Sequence, residues 1–462
     1  MNAPSAALLD ALKATVADLR TDADSLATYG RDWTTRYRPQ PAAVALPAGL
    51  DEVVALVKLA NQQRLALVPS GGRTGLSGGA VALQGEVVVS FERMNRILHF
   101  EPKERSVTVQ AGVVTEALQQ FAAERGLFYP VDFAARGSSH IGGNIATNAG
   151  GIKVIRYGMT RDWVTGLKVV TGRGDCLELN KGLVKNATGY DLRHLFIGSE
   201  GTLGLVVEAT IELTTPPQEP SVMVLGTDDL EALLTVFDRI RGELPLLAFE
   251  FFTDQALAHV LAKGLKPPFD QRPPYYALVE FENPADAQLD TALKLFESAL
   301  ERGLVVDGVI SQNSAQALDL WRLREDITES LAPHKPYKND ISVRVSQVAA
   351  FLTAMEALFA EAYPDFQVVW FGHIGDGNLH ISVLKPQGLA VEAFAERCEA
   401  VSEQLFEVLE SFGGSVSAEH GVGLVKKPFL HYTRHPSEID YLRGIKRVFD
   451  PNGILNPGKL FD

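Results

Sequence analysis

The chain is short of cysteine, with only Cys176 and Cys398 in 462 residues. The two lie far apart and could pair, but so low a count excludes a disulfide-built secreted scaffold and fits a reducing compartment. Positive charge is also in deficit: 43 Lys and Arg stand against 57 Asp and Glu, a formal net charge of −14. That balance disfavours nonspecific binding to nucleic acid or to an anionic membrane. An anionic substrate would therefore need a local cluster of Arg or Lys. No apolar run is expected to reach the ~18 residues of a membrane span, so no integral membrane protein is expected. Residues 1–12 carry no basic side chain and an early Asp10, unlike a signal peptide, and the cytoplasm is the expected location.

What is present is ordinary for a globular protein, 46% hydrophobic and 22% charged, and the length exceeds what one core usually supports. Residues 1–38 read as a helix followed by a loop. Over residues 39–215 strands and helices alternate around three glycine-rich loops. Asp51 is a candidate cap for a helix whose Val53, Leu56, Val57 and Ala60 share one face. A helix over 115–125 is stopped by Gly126, and residues 167–171 and 176–179 pair as a hairpin on Arg173-Gly174-Asp175. The run Thr214-Thr215-Pro216-Pro217 marks a domain boundary. Residues 216–414 again alternate strand and helix, the pattern of a sheet with helices packed on it. Residues 415–462, dense in glycine and then helical, form a closing segment that returns to a shared site.

The first glycine loop, Pro69-Ser70-Gly71-Gly72-Arg73-Thr74-Gly75-Leu76-Ser77-Gly78-Gly79, follows a strand. Glycine there allows positive φ and lets backbone N–H groups converge on an anion. It lacks both the G-x-G-x-x-G spacing and the Gly-Lys-Ser/Thr ending of a Walker loop. The second, residues 138–151, carries only small and slender side chains around Gly142-Gly143-Asn144 and Gly150-Gly151. The third is Gly198-Ser199-Glu200-Gly201-Thr202-Leu203-Gly204. Three such loops suit a ligand with both a pyrophosphate and a flat ring system, which describes FAD. Their order and separation resemble the FAD-binding domain of the vanillyl-alcohol oxidase and p-cresol methylhydroxylase superfamily. The resemblance implies an α+β fold: a two-part FAD-binding domain, a substrate domain with a mainly antiparallel sheet, and a C-terminal segment returning to the flavin. It also implies non-covalent FAD contacts at Pro69, Ser70, Gly71, Gly72, Arg73, Thr74, Gly75, Leu76, Ser77, Pro130, Asp132, Ser138, Ile141, Gly142, Gly143, Asn144, Thr147, Asn148, Gly150, Glu200, Gly201, Gly204, Val206 and Asn456. No residue is assigned a covalent link to the flavin, His140 being a weak candidate.

Two of the ten histidines frame Gly372-His373-Ile374-Gly375-Asp376-Gly377-Asn378-Leu379-His380. Gly375 and Gly377 speak against a helix. Strands over 368–371 and 379–384 joined by a Gly-Asp-Gly-Asn turn would let His373 and His380 converge. With Glu419 of Ser417-Ala418-Glu419-His420-Gly421 they make a plausible site for a divalent ion, Zn²⁺ foremost, with coordination left open for substrate. Hydrogen-bonded loop histidines are the plain alternative. His-Ile-Gly-Asp-Gly-Asn-Leu-His followed by Glu-His-Gly-Val-Gly is similar to the metal signature of the D-2-hydroxy-acid dehydrogenase branch of this superfamily, which includes D-2-hydroxyglutarate and D-lactate dehydrogenases. The likeness covers nearly the whole chain.

Arg324 and Thr328 lie four apart on a predicted helical face, where a guanidinium and a hydroxyl could hold a carboxylate. Lys338 could add a second cation, although a solvated charged helix reads equally well. The resemblance implies that Arg324, Thr328 and Lys338 bind the carboxylates of a small D-2-hydroxy acid, D-2-hydroxyglutarate foremost and D-lactate as the alternative. It implies that His420 takes the C2 hydroxyl proton while hydride goes to flavin N5. Electron-transfer flavoprotein or a quinone then reoxidises the flavin, and the enzyme is a homodimer. Ser382 stands where many such relatives carry asparagine, which bears on substrate choice. A metal-dependent hydrolase is the rival of a different class, but it leaves the glycine loops without a role.

Overall fold

The computed structural model describes residues 6–34 and 36–462. The chain forms two compact units: Met1–Gly151, Gly158–Pro216 and Glu419–Asp462 make the first, and Ile152–Tyr157 with Pro217–Ala418 the second. It is an α+β protein.

The first unit holds two sheets. One contains β1 (Leu19–Arg20), β2 (Ala43–Ala45), β3 (Leu67–Ser70) and β4 (Val87–Ser90) in the order β1-β2-β4-β3, with β2 and β3 both parallel to β4. The first glycine loop lies in the connection from β3 to its parallel neighbour β4, and helix Leu50–Gln63 carries the chain across from β2 to β3, burying Val53, Leu56, Val57 and Ala60. Its N-cap is Gly49; Asp51 lies within the first turn instead, where a carboxylate favours the helix dipole. The other sheet contains β5 (Ile97–Glu101), β6 (Ser106–Gln110), β7 (Val164–Thr171), β8 (Cys176–Leu179) and β9 (Gly204–Glu212), antiparallel throughout in the order β5-β6-β9-β7-β8. Side chains of both sheets share one core that includes Val87, Val89, Val107, Val109, Val169 and Val207.

The second unit is built on one seven-stranded antiparallel sheet of β10 (Pro220–Thr227), β11 (Leu246–Thr253), β12 (Tyr275–Glu282), β13 (Asp307–Ile310), β14 (Tyr337–Ser342), β15 (Val368–His373) and β16 (Asn378–Val383), in the order β13-β10-β12-β11-β15-β16-β14. Ala248, Phe252, Leu278, Val369 and Phe371 from one face pack with Ala256, Leu257, Trp321, Leu323 and Ile327 from helices. Residues 152–157 join this unit by two ion pairs, Lys153 to Glu280 at 3.0 Å and Arg156 to Glu282 at 3.5 Å. Sequence pattern assigns them to the flavin domain, because six residues between glycines are too few to register as a change of texture.

One expectation is corrected. Helix residues Val345–Ala362, with mean hydropathy 1.2, are long and apolar enough to cross a membrane by length and composition alone. Phe351, Leu352, Met355 and Phe359 of this stretch are buried within the protein, and 33% of the stretch is buried in all. The two cysteines are both free, Cys176 exposed and Cys398 buried.

Candidate active site

In the first unit the three glycine loops converge because glycine lets backbone meet backbone. A Cβ on Gly72 would come within 1.9 Å of the Ser138 carbonyl oxygen, and one on Gly201 within 2.4 Å of Pro69. So the first loop lies against the second at Gly72 and against the third at Gly201, and any side chain there would force them apart. Among the described residues, the main-chain amides of Gly71 to Ser77 donate to no acceptor of the protein, an arrangement able to receive a pyrophosphate. Ser70 Oγ, His140 Nδ1 and Asn456 Oδ1 are buried without a hydrogen-bond partner. These features fit a cofactor carrying phosphates. Several of the expected FAD residues have side chains engaged within the protein. Asn144 donates its amide to Thr115 Oγ1 at 2.7 Å, Asp132 pairs with Arg136 at 2.8 Å, and the Arg73 guanidinium lies over the Tyr29 ring at 4.5 Å.

The closing segment is fastened to these loops. Glu200 is buried, and its two carboxylate oxygens accept from the amides of Val422 and Gly423 at 2.7 and 2.8 Å. Burial pushes its carboxyl up to about 7 against the pull of those amides. Ser77 O accepts from Leu424 and Val425 at 2.9 and 3.0 Å. Asn456 donates to Gly79 O and Glu200 O at 2.9 and 2.7 Å. Glu419 and His420, 3.8 Å apart between Oε1 and Nε2, begin this segment.

His140 carries a pH prediction. Burial, reinforced by the charge of Arg73, lowers its pKa from 6.5 to about 4. The unfolded chain therefore takes the proton first as pH falls, so stability is full above pH 6.5 and is lost between 6.5 and 4. A His140→Asn variant should shrink the stability difference between pH 7.5 and 4.5 by about 2–3 kcal/mol. Denaturant titrations at the two pH values measure this, and an undiminished difference would clear His140 of the effect.

In the second unit the face of the sheet gathers the remaining candidates. Side chains alternate along a strand, so His373 and Phe371 of β15 share a face with Asn378 and His380 of β16, given the pairings His373↔Asn378 and Phe371↔His380. The two histidine rings stand 5.3 Å apart at 83°. Each has a carboxylate behind it. His373 Nδ1 lies 2.8 Å from Glu250 Oε1, and His380 Nδ1 lies 3.3 Å from Asp340 Oδ1. Asp340 also accepts from Asn378 Nδ2 at 2.8 Å. A carboxylate on Nδ1 fixes ring orientation and raises the basicity of Nε2, the support that metal-ligating histidines commonly have. The donor set thus fits a divalent ion.

Arg324 is 6% exposed and pairs with Glu250 Oε2 at 2.9 Å, its guanidinium 5.0 Å from the Phe371 ring centroid. Burial would raise the Glu250 carboxyl, but the charges of His373 and Arg324 outweigh it and hold it below the ordinary range. Thr328 does not share Arg324's environment. The helix predicted to carry both ends at Glu325, Asp326 intervenes, and Thr328 is exposed on the short helix Ile327–Leu331. Lys338 is exposed, yet desolvation by surrounding protein lowers its pKa. Ser382 faces Lys338 in register but is 1% exposed. Two residues from His380 on β16, Ser382 lies on the same face of the sheet as that histidine.

Sequence reading missed Glu250 and Asp340. A signal for the first existed: one carboxylate inside Leu246-Leu247-Ala248-Phe249-Glu250-Phe251-Phe252 must be paired if the strand is buried.

Comparison with known proteins identifies the family. Residues 41–180 match the family described as FAD binding domain, and residues 216–460 match FAD linked oxidases, C-terminal domain. A D-2-hydroxyglutarate dehydrogenase of Stutzerimonas stutzeri is 56% identical, covering 98% of this chain and 99% of its own. One of Xanthomonas citri pv. viticola is 59% identical over 96% and 94%. The chain belongs to the D-2-hydroxyglutarate dehydrogenase family of FAD-linked oxidoreductases. As a member of this family it is a flavoprotein, and its glycine loops form part of the matched FAD-binding domain. The family fold extends further than its sequence likeness. A 4-ethylphenol oxidase structure from Gulosibacter chungangensis superposes with a TM-score of 0.77 at 19% identity, covering 99% of this chain and 98% of that one.

Proposed function

We propose that the protein oxidises D-2-hydroxyglutarate to the corresponding 2-keto acid with the help of a divalent metal ion. The observation that carries this reading is the pair of carboxylate-supported histidines, His373 and His380, beside the buried Arg324 in a chain with an FAD-binding domain. FAD, when bound, supplies the two-electron acceptor for the C2 hydride, and a divalent ion, Zn²⁺ by its donor set, supplies a Lewis acid for the C2 hydroxyl.

The chain's own residues do the rest. His373 and His380 present imidazole nitrogens, and Glu419 would complete three protein ligands. Chain connectivity supports this: Ser415 donates to Ser342 O at 2.8 Å, on the strand that carries Asp340, and the four residues on to Glu419 can span at most roughly 14 Å. Arg324, Thr328 and Lys338 would hold the two carboxylates, the guanidinium giving direction and the ammonium charge. His420 takes the hydroxyl proton at a ring nitrogen as the C2–H bond gives up its electron pair, leaving the keto acid. Glu200 would keep His420 in place through the following amides. Electron-transfer flavoprotein or a quinone would then reoxidise the flavin.

The test is the absorbance spectrum of the purified protein during anaerobic addition of D-2-hydroxyglutarate, D-lactate and D-malate in turn. A flavin band bleached fastest by D-2-hydroxyglutarate is expected. Bleaching by D-lactate alone would overturn the substrate, and a protein that cannot be loaded with FAD would overturn the whole reading.

A further inference from the structure

Glu250 is a single carboxylate in contact with both halves of the candidate site in the second unit, His373 and Arg324. It stands between Ala248 and Phe252 on the same face of β11, and both neighbours belong to the hydrophobic core. Its side chain is 1% exposed, so water contributes nothing to its solvation. Each oxygen has a different partner: Oε1 meets His373 Nδ1 at 2.8 Å and Oε2 meets Arg324 Nη2 at 2.9 Å. A carboxylate can accept at both oxygens at once. A buried charge of this kind is retained only if its partners compensate it.

We propose that Glu250 is a positioning residue that ties the metal-holding histidine to the carboxylate-binding arginine, so that metal retention and substrate affinity depend on the same side chain. The inference rests on the proposed function, in which His373 holds a metal and Arg324 a substrate carboxylate. Its physical content is that one rigid group fixes two others. His373 is turned so that Nε2 points away from Glu250, and Arg324 is held with its guanidinium over Phe371. Neither can shift without weakening its own contact with the shared carboxylate, a hydrogen bond for His373 and an ion pair for Arg324.

Glu250→Gln preserves shape but offers one acceptor oxygen and one NH₂, so one partner always meets a donor, and the negative charge both share is gone. The experiment uses the FAD-loaded full chain and two readouts. Metal affinity is measured by elemental analysis after equilibration against graded chelator, and KM and kcat are measured with D-2-hydroxyglutarate at saturating metal. The variant is expected to lose metal at chelator concentrations at least ~10-fold lower than wild type. Its KM should rise about 10-fold, with kcat of the reloaded enzyme changed much less. Glu250→Asp keeps the charge but is one methylene too short to span both partners, so it should move both readouts in the same direction by less. It carries the test if the Gln variant does not fold, as judged by flavin content and thermal melting. Wild-type values in either readout, or movement of one without the other, overturn the shared-carboxylate role. Wild-type protein that binds no divalent ion at all would instead overturn the metal reading on which the inference rests.

Discussion

Replacing His420 with alanine is expected to slow substrate-driven flavin reduction by about 10²-fold or more. A positioned general base of this kind contributes on that order, because without it the hydroxyl proton must leave to water while the hydride departs. Stopped-flow absorbance in the flavin band, under anaerobic single-turnover conditions, measures the step free of product release and of the electron acceptor. The variant should still bind FAD. Glu200 holds the closing segment through the amides of Val422 and Gly423, and those main-chain contacts survive a side-chain change at position 420. Loss should therefore fall on the rate and not on flavin content. An unaltered rate of reduction would remove His420 from the chemistry and turn attention to Lys338, whose ammonium is pushed toward the neutral form by desolvation.

Removing the metal is expected to have an effect of similar size by a different route. Chelated protein, or His380→Ala, should keep its flavin absorbance and lose reduction by D-2-hydroxyglutarate by on the order of 10²-fold or more, several kcal/mol of charge stabilisation being forfeited. His380 is the cleaner position to change. Its partner Asp340 would still accept from Asn378 at 2.8 Å, so the carboxylate is not left buried and alone. Chelated protein should regain its rate when Zn²⁺ or another borderline divalent ion is restored. The His380 variant should not regain it at the same concentration. Full activity in protein shown by elemental analysis to be metal-free would sink the metal reading while leaving the flavin assignment intact.

How far the site is legible in the sequence depends on whether the signal is local. The hairpin of β15 and β16 is legible because two glycines forbid a helix and the turn fixes the pairing, so the convergence of His373 and His380 follows from strand geometry. The glycine loops are legible because few side-chain types tolerate backbone-to-backbone contact such as that of Gly72 with Ser138. The joint helix for Arg324 and Thr328 is not what the chain forms. Spacing by four predicts a shared face, but the helix ends at Glu325 and the burial of the two residues differs. Glu250 needs Arg324, 74 residues on, and His373, 123 residues on, before its meaning appears. A periodic reading of one strand shows only that a charge is out of place. The short excursion of residues 152–157 is similarly non-local, since its ion-pair partners Glu280 and Glu282 come more than a hundred residues later.

β3 lies at the outer edge of its sheet, and what covers it comes from the far end of the described chain. Leu67 N donates to Ile454 O, and Asn456 N donates to Leu67 O, both at 2.7 Å. During synthesis that edge emerges early and stays without this partner while several hundred residues follow it from the ribosome. Exposed strand edges invite pairing with other chains, so the nascent protein carries an aggregation hazard that ends only when residues 454–456 arrive. The strand they close is the one that leads into the first glycine loop. Flavin capture is thereby tied to the last stage of folding, and a chain cut short before residue 454 should be recovered colourless and aggregated rather than as a loaded but inactive enzyme.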